Sequence, residues 1–432
     1  AGIRFWRQCR CSIARPASPA PEILREVHTV GAKVVVVEPL AAHAWAQIDR
    51  VHLPTVEHVV ATETGTVPGA DSAFDDLLGT EQVAAIEVDD DDLAALIFTS
   101  GTAGSPRAAM LSHGNLMANL EQGRSTDGIN EHDVVFGVLP VFHIFGLNVV
   151  LGLTLARGAT VVLVQRFDPF TALETITERG ITVIPGAPPL WLAFSHFDDA
   201  PADSFATVRL ALTGAAKMPE EATRHLQQRF GLILREGYGL TEASPVVTSS
   251  AGLTPKVGSV GKVLAGMQVR LVDENGDDAL EGDSGEIWVK GPNVFKGYLD
   301  EPEATARVLT ADGWLRTGDI AVVDDDGYLY LVDRAKDLVI VSGFNVYPAE
   351  VEEVLMEHPD VLEVGVVGVP HPHTGEAVKA FVVLKPGATA HEDTLVSWCL
   401  DNLARYKCPA KILFVDQLPR NLSGKLLRRS LV

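Results

Sequence analysis

Leu93-Ala-Ala-Leu-Ile-Phe-Thr-Ser-Gly-Thr-Ala-Gly-Ser-Pro-Arg107 runs an apolar block straight into hydroxyls, glycines and one cation. The apolar half, Leu93 to Phe98, has the length and texture of a buried strand. The rest, Thr99 to Arg107, has the composition of a phosphate-cradling loop. Glycines let the backbone approach an anion, hydroxyls and N–H groups donate to its oxygens, and Arg107 adds charge. A plain Ser/Thr/Gly turn has the same composition. The G-x-x-x-x-G-K-[ST] spacing of a Walker loop is absent.

On both sides of this stretch, short Val/Ile-rich runs alternate with helical patterns and Gly/Pro turns, an α/β texture. Ala32 to Val37, Thr160 to Val164, Thr182 to Pro185 and Val208 to Thr213 read as buried strands. From Val269 to Val332 the pattern alternates and is rich in turns, as in Gly285-Glu-Ile-Trp-Val-Lys-Gly291 and Gly327-Tyr-Leu-Tyr-Leu-Val332, which predicts antiparallel strands. After Asp333-Arg-Ala-Lys-Asp337 a shorter unit begins, with strands expected at Val364 to Val369 and Ala380 to Leu384. A chain of 432 residues exceeds one ordinary compact domain, so a large domain followed by a smaller one is the expected organisation.

The 35 basic and 57 acidic side chains leave a formal charge of −22. Such a field repels phosphodiester backbones and anionic lipid surfaces, which argues against a nucleic-acid partner. A small anion such as ATP is still admissible where local N–H groups and cations override it. Cys9, Cys11, Cys399 and Cys408 form neither a disulfide framework nor a zinc spacing, and a reducing, cytoplasmic location is expected. Val134 to Ala156 is uncharged and long enough to span a bilayer. Pro140, His143, Asn148 and its glycines favour strand, turn and helix in a core instead. Asp89 to Asp92 reads as a solvated turn rather than a metal site. Residues 1–18 carry Arg4, Arg7, Arg10 and Arg15 and no acid, unlike the rest of the chain. A transit-peptide character or a misread frame would explain this, and the segment is expected not to be native core sequence.

Three further motifs carry chemistry. Glu236-Gly-Tyr-Gly-Leu-Thr-Glu242 offers Tyr238 to stack on a purine, Thr241 to bond a phosphate oxygen and Glu242 to hold Mg²⁺, against the alternative of a strand-end turn with a surface Glu. Trp314-Leu-Arg-Thr-Gly-Asp319 offers Asp319 as a two-oxygen acceptor for vicinal ribose hydroxyls, or a turn aspartate. Pro419-Arg-Asn-Leu-Ser-Gly-Lys425 presents one lysine on a Gly-containing turn, which alone reads as a solvated tail.

In this order, and together with Asp333-Arg-Ala-Lys-Asp337 and Ser342-Gly-Phe-Asn-Val-Tyr-Pro-Ala-Glu350, these segments resemble the adenylate-forming superfamily of acyl-CoA ligases, adenylation domains and luciferases. The likeness is greatest to fatty-acyl and aryl-CoA ligases and extends from about Pro21 to Lys425. It implies an α/β fold: a large multi-sheet N-terminal domain with a distorted β-barrel (residues 19–333, after the atypical 1–18), a hinge at 334–337, and a small α+β lid domain at 338–432. It also implies ATP, Mg²⁺ and coenzyme A as cofactor and co-substrates, with a small carboxylic acid, most simply a fatty acid, as the acyl donor. Carried over by position, Thr99, Ser100, Gly101, Thr102, Gly104 and Arg107 would hold phosphates. Gly214, Ala215, Glu236, Gly237 and Tyr238 would surround the adenine, Thr241 and Glu242 would serve phosphate and Mg²⁺, and Asp319 and Arg334 would fix the ribose. Lys336 would lie at the hinge, Gly343 beside the thiol channel, and Lys425 would bridge carboxylate and phosphate during adenylation. His143, in Leu139-Pro-Val-Phe-His-Ile-Phe-Gly146, matches a position that gates the acyl pocket and would be catalytic as one of two acceptors for the thiol proton, water being the other; the alternative is a satisfied interior histidine.

The chain departs from the family pattern at Ala103, which lacks a hydroxyl, at Arg107-Ala108 in place of Lys-Gly, and at Gly214-Ala-Ala-Lys-Met-Pro219, which suggests a slightly tighter adenine pocket. Gly186-Ala-Pro-Pro-Leu190 and Gly214-Ala-Ala216 are the expected walls of an apolar acyl pocket. Two rival readings are an adenylation module that loads a carrier-protein thiol and a degenerate relative that binds nucleotide without turnover.

Overall fold

The structure, a computed structural model, describes residues 11–12, 18–79, 87–99, 107–124, 126, 128–216, 218–273, 275–334, 337, 339–341, 344–371, 374–403, 405–420 and 426–431. Its largest sheet has seven strands in the spatial order Lys262–Val263, Val246–Ser249, Leu234–Gly239, Leu210–Thr213, Val183–Gly186, Val134–Gly137 and Thr160–Leu163. The last five are mutually parallel, and the first two add antiparallel pairs at one edge. Parallel strands need crossovers, and helices supply them. Pro169–Arg179 starts on a proline with the Asp168 side chain accepting from Thr171 N at 3.0 Å, and it stops where Gly180 turns left-handed at φ 60°. Its buried face, Ala172, Leu173 and Ile176, packs with Trp191, Phe194 and Leu226 from the helices Pro188–Ser195 and Glu220–Phe230.

The run that opened the sequence reading forms one arm of a hairpin. Leu93–Thr99 pairs antiparallel with Arg107–Ser112, with a register shift between Leu93 and Ala95 and then regular pairing to Thr99 opposite Arg107, so both ends of segment 100–106 are held side by side. Cys11–Ser12 adds parallel to its other edge. The expected antiparallel region is a meander of Gln268–Val272, Gly285–Lys290, Leu315–Val323 and Leu329–Arg334. In the C-terminal part, Phe344–Val346, Val339–Val341, Gly375–Leu384 and Val361–His371 lie side by side, with Lys411–Phe414 parallel to Gly375–Leu384. The helices Pro348–Met356 and Glu392–Asn402 bury Val351, Leu355, Leu395 and Cys399 against this sheet.

Two of the runs expected to be buried are edge strands. Val34–Val37 borders a three-stranded parallel sheet with His58–Ala61 and Ser72–Ala73, and its Val34 and Val36 are 53% and 56% exposed. Thr160–Leu163 ends the seven-stranded sheet, with Leu163 67% exposed. A run of valines specifies a strand but not its place in the sheet. Val134 to Ala156 resolves into the strand Val134–Gly137, a turn, the π-helical segment Phe145–Gly152 and the short helix Leu153–Arg157. Among the described residues no helix is long and apolar enough to cross a membrane.

One buried ion pair ties this region to its neighbours. The Asp133 side chain, 2% exposed, accepts from Arg209 Nε at 2.8 Å, Thr182 Oγ1 at 2.7 Å and Asn130 N at 2.7 Å. Burial alone would raise its pKa, but Arg209, Asn130 and Thr182 outweigh it and hold the carboxyl below the usual range. Asp133→Ala is therefore expected to destabilise the fold by about 2 kcal/mol at neutral pH, since it strands a guanidinium that still reaches water. A carboxyl with a lowered folded pKa stabilises above its unfolded value of about 4 and loses that contribution as the pH falls through the lowered value. Urea unfolding at pH 7 and at pH 3 checks both: the gap between wild type and variant should narrow in acid.

Candidate active site

The carboxyl ends of the parallel strands open into a cavity of about 720 Å³. Leu210–Thr213 delivers Gly214 and Ala215 to it, and Leu234–Gly239 delivers Glu236, Gly237 and Tyr238, with Thr241 and Glu242 on the turn that follows. Asp319 enters from the meander strand Leu315–Val323, Thr99 and Arg107 from the two arms of the hairpin, and His143 from the turn before the π-helical segment. Residues far apart in the chain thus converge on one space. Gly214 is closely approached: a Cβ there would lie 3.3 Å from Gly237 O, which would have to give by a few tenths of an ångström, and at contact distance, 3.5 Å, from Phe145 Cε1. Ala215 takes a left-handed φ of 71°, which turns the chain sharply at the cavity wall.

Ser100, Gly101, Thr102, Gly104, Lys336, Gly343 and Lys425 lie outside the described residues. For Arg334 the backbone alone is described, opposite Asp319 in the meander. Arg420 and Leu426 form an isolated antiparallel bridge, so the Ser-Gly-Lys425 motif falls between two paired residues.

The polar side chains restrain one another. The Tyr238 phenol donates to Asp319 Oδ2 at 2.7 Å, and both residues are buried. Tyr238 therefore offers a ring at the wall while its hydroxyl orients the carboxylate expected to receive ribose. Arg107 donates from Nε to Glu301 Oε2 at 2.8 Å, and its guanidinium lies 5.6 Å from the centre of the Tyr298 ring. A lysine has no planar fork with which to hold Glu301 through one nitrogen and keep two others for phosphate, which gives the Lys-to-Arg departure a physical use. The Tyr298 phenol donates to Glu242 Oε1 at 2.8 Å, whereas the sequence reading gave Glu242 a metal rather than a side-chain partner. Burial and the Glu242 carboxylate push the Tyr298 pKa well above the ordinary phenol value, so it stays a donor.

Tyr298 and Glu301 were not among the expected site residues. They are brought in by pairing of the segment after Phe295 with the hairpin arm, where Ala109 bridges Tyr298 and Leu299 N donates to Ala108 O. The only sequence signal was a Gly-Tyr turn.

The donor set suits Mg²⁺. Glu242 Oε2 has no protein partner among the described residues, and Thr241 adds a hydroxyl on the same wall. No group of three or more His, Cys, Asp or Glu side chains among those residues could hold a metal unaided. Mg²⁺ is commonly held this way, through one carboxylate, water and substrate phosphate oxygens. Asp89 to Asp92 is the solvated turn expected: Asp89 N donates to Asp92 Oδ2 and Asp91 pairs with Lys296 at the surface.

His143 is half-buried on the cavity wall, and its Nδ1 accepts from Phe145 N at 3.2 Å. An accepting Nδ1 leaves the proton of a neutral ring on Nε2, so in this arrangement the ring can donate but not take a proton there. Leu120, Ile129, Phe145, Val149 and Leu153 give the same cavity an apolar wall. Of the two expected pocket segments, Gly214-Ala215 lines the cavity and Gly186-Ala-Pro-Pro-Leu190 does not. Gly186 serves packing instead, since a Cβ there would sit 2.8 Å from Trp191 Nε1, which donates to Leu212 O at 3.0 Å.

A family model described as AMP-binding enzyme matches residues 8–299, and one described as AMP-binding enzyme C-terminal domain matches residues 350–425. A long-chain-fatty-acid–CoA ligase of Bacillus subtilis (strain 168) is 39% identical over 358 residues, 82% of this chain but 64% of that protein. A 4-coumarate–CoA ligase 3 of Oryza sativa subsp. japonica is 34% identical over 438 residues, covering 97% of this chain and 77% of that one. Among solved structures, ATP-bound MatB from Rhodopseudomonas palustris aligns with a TM-score of 0.87 at 34% identity, over 96% of this chain and 81% of MatB. The chain thus spans less than two thirds of the length of the Bacillus ligase.

Proposed function

The chain belongs to the AMP-binding enzyme family, whose acyl-CoA ligases work with ATP, Mg²⁺ and coenzyme A, and on that premise we propose that it is an AMP-forming acid–thiol ligase. In the first step a carboxylate oxygen attacks the α-phosphorus of ATP, giving acyl-AMP and pyrophosphate. In the second the thiol of coenzyme A attacks the acyl carbon, giving a thioester, AMP and a proton. The observation that carries this reading is the single cavity in which the candidate nucleotide residues adjoin an apolar wall.

Each residue then has a task. Arg107 and the hydroxyl and N–H groups of Thr99 to Gly104 receive the phosphates, Tyr238 and Gly214 border the base, and Asp319 receives the ribose hydroxyls. Thr241 and Glu242 would hold Mg²⁺, which when bound would neutralise phosphate charge. Lys425 neutralises charge on carboxylate and phosphate, and Lys336 lies in a hinge at 334–337 between the large domain and a lid. Gly343 leaves room for the thiol arm. His143 borders the acyl pocket, and the thiol proton leaves to water or, through the Nδ1 lone pair that otherwise accepts from Phe145 N, to the imidazole.

The apolar wall of the cavity supports a fatty acid as the acyl donor, and the Bacillus and Oryza relatives are named for a long-chain fatty acid and for 4-coumarate. ATP–pyrophosphate exchange over a panel of fatty, aryl and amino acids tests the reading. Exchange with apolar acids, and thioester formation on coenzyme A, are expected. Exchange with amino acids alone, or transfer only to a carrier-protein thiol, would replace the acceptor and substrate, and no exchange with any acid would overturn catalysis.

A further inference from the structure

The two oxygens of Glu242 have unlike surroundings. Oε1 takes the Tyr298 phenol at 2.8 Å, while Oε2 has no protein partner among the described residues. Tyr298 has little freedom to turn away. It is 8% exposed, its ring meets Phe295 edge-on at 5.0 Å, and its backbone N donates to Thr305 Oγ1 at 2.9 Å. Arg107, anchored on Glu301, lies over the ring.

We propose that Tyr298 is a positioning residue that ties down one oxygen of Glu242, so that the carboxylate offers the other to Mg²⁺ in a monodentate pose, and thereby favours Mg²⁺ over Ca²⁺. This rests on the function proposed above. A glutamate has several soft torsions, and a ligand held by an outer hydrogen bond loses less freedom when the metal binds. Mg²⁺ demands near-octahedral geometry with short bonds, whereas Ca²⁺ accepts a carboxylate through both oxygens. A phenol on Oε1 obstructs the two-oxygen pose and leaves the one-oxygen pose untouched.

The test uses the full chain with a non-hydrolysable ATP analogue and Mn²⁺ as the Mg²⁺ surrogate, free Mn²⁺ being read by electron paramagnetic resonance. Tyr298→Phe keeps the ring and removes the hydroxyl. It should weaken Mn²⁺ binding to the nucleotide complex about 10- to 100-fold and make Ca²⁺ a stronger competitor relative to Mg²⁺. In a Glu242→Gln background, Tyr298→Phe should have no further effect, because the phenol acts through the carboxylate. Unchanged Mn²⁺ affinity, an unchanged Mg²⁺-to-Ca²⁺ preference, or an equal loss in both backgrounds would overturn the proposal. Wild-type protein that binds neither nucleotide nor Mn²⁺ would overturn the functional reading as well, which separates the two failures.

Discussion

Lys425→Ala is expected to slow adenylation about 10²- to 10³-fold and to leave thioester formation from supplied acyl-AMP nearly unchanged. A lysine ammonium contributes only while charge builds on the carboxylate and the phosphate, and by the second step that charge resides on the departing AMP. Gly343→Leu should give the converse, because a branched side chain fills the space needed by the thiol arm and leaves adenylation alone. Acyl-AMP should then accumulate. In the alternating lid proposed above, presenting one of the two positions to the site withdraws the other. Pyrophosphate exchange reads the first step, and thioester formation from synthetic acyl-AMP reads the second. Equal loss of both steps in both variants would refute an alternating lid.

Gly146→Ala is expected to lower turnover about 100-fold and stability by about 2–3 kcal/mol. A Cβ on Gly146 would lie 2.2 Å from Pro140 O and 2.8 Å from Leu139 O, and backbone cannot step aside as a flexible side chain can. The displaced turn is the one that closes from His143 N to Pro140 O at 3.1 Å and carries His143 to the cavity. A shift of about 1 Å there misplaces the acyl group relative to the phosphate, and near-attack geometry tolerates little of that. Pyrophosphate exchange and a thermal melt measure the two effects. A variant with wild-type turnover would show that the turn relaxes without moving His143.

Two contiguous motifs were legible as parts of the cavity wall. Glu236 to Glu242, and Leu315 to Asp319 of the Trp314 motif, are strand and strand-end segments whose composition already carries the chemistry, and both line the cavity. Tyr298 and Glu301 were not legible, because what makes them relevant is a backbone pairing with the hairpin arm some 190 residues earlier in the chain (298 − 109 = 189). No local pattern records a contact of that range. The same limit governed the strands. Thr160–Leu163 and Val183–Gly186 both read as apolar runs, yet one ends the sheet and the other is buried throughout, since neighbours set burial. Gly186 to Leu190 was expected in the acyl wall because it is rich in small residues and carries no partner for a substrate ammonium. That segment instead makes room for Trp191.

The π-helical stretch Phe145–Gly152 leaves the cavity wall open to a one-residue deletion. A π turn holds one residue more than an α turn, so excising one residue returns the segment to α geometry while the side chains after it keep roughly their present phase. The flanking strands Val134–Gly137 and Thr160–Leu163 then need not move, and the change is confined to the stretch that places Asn148 and Val149 on the cavity wall.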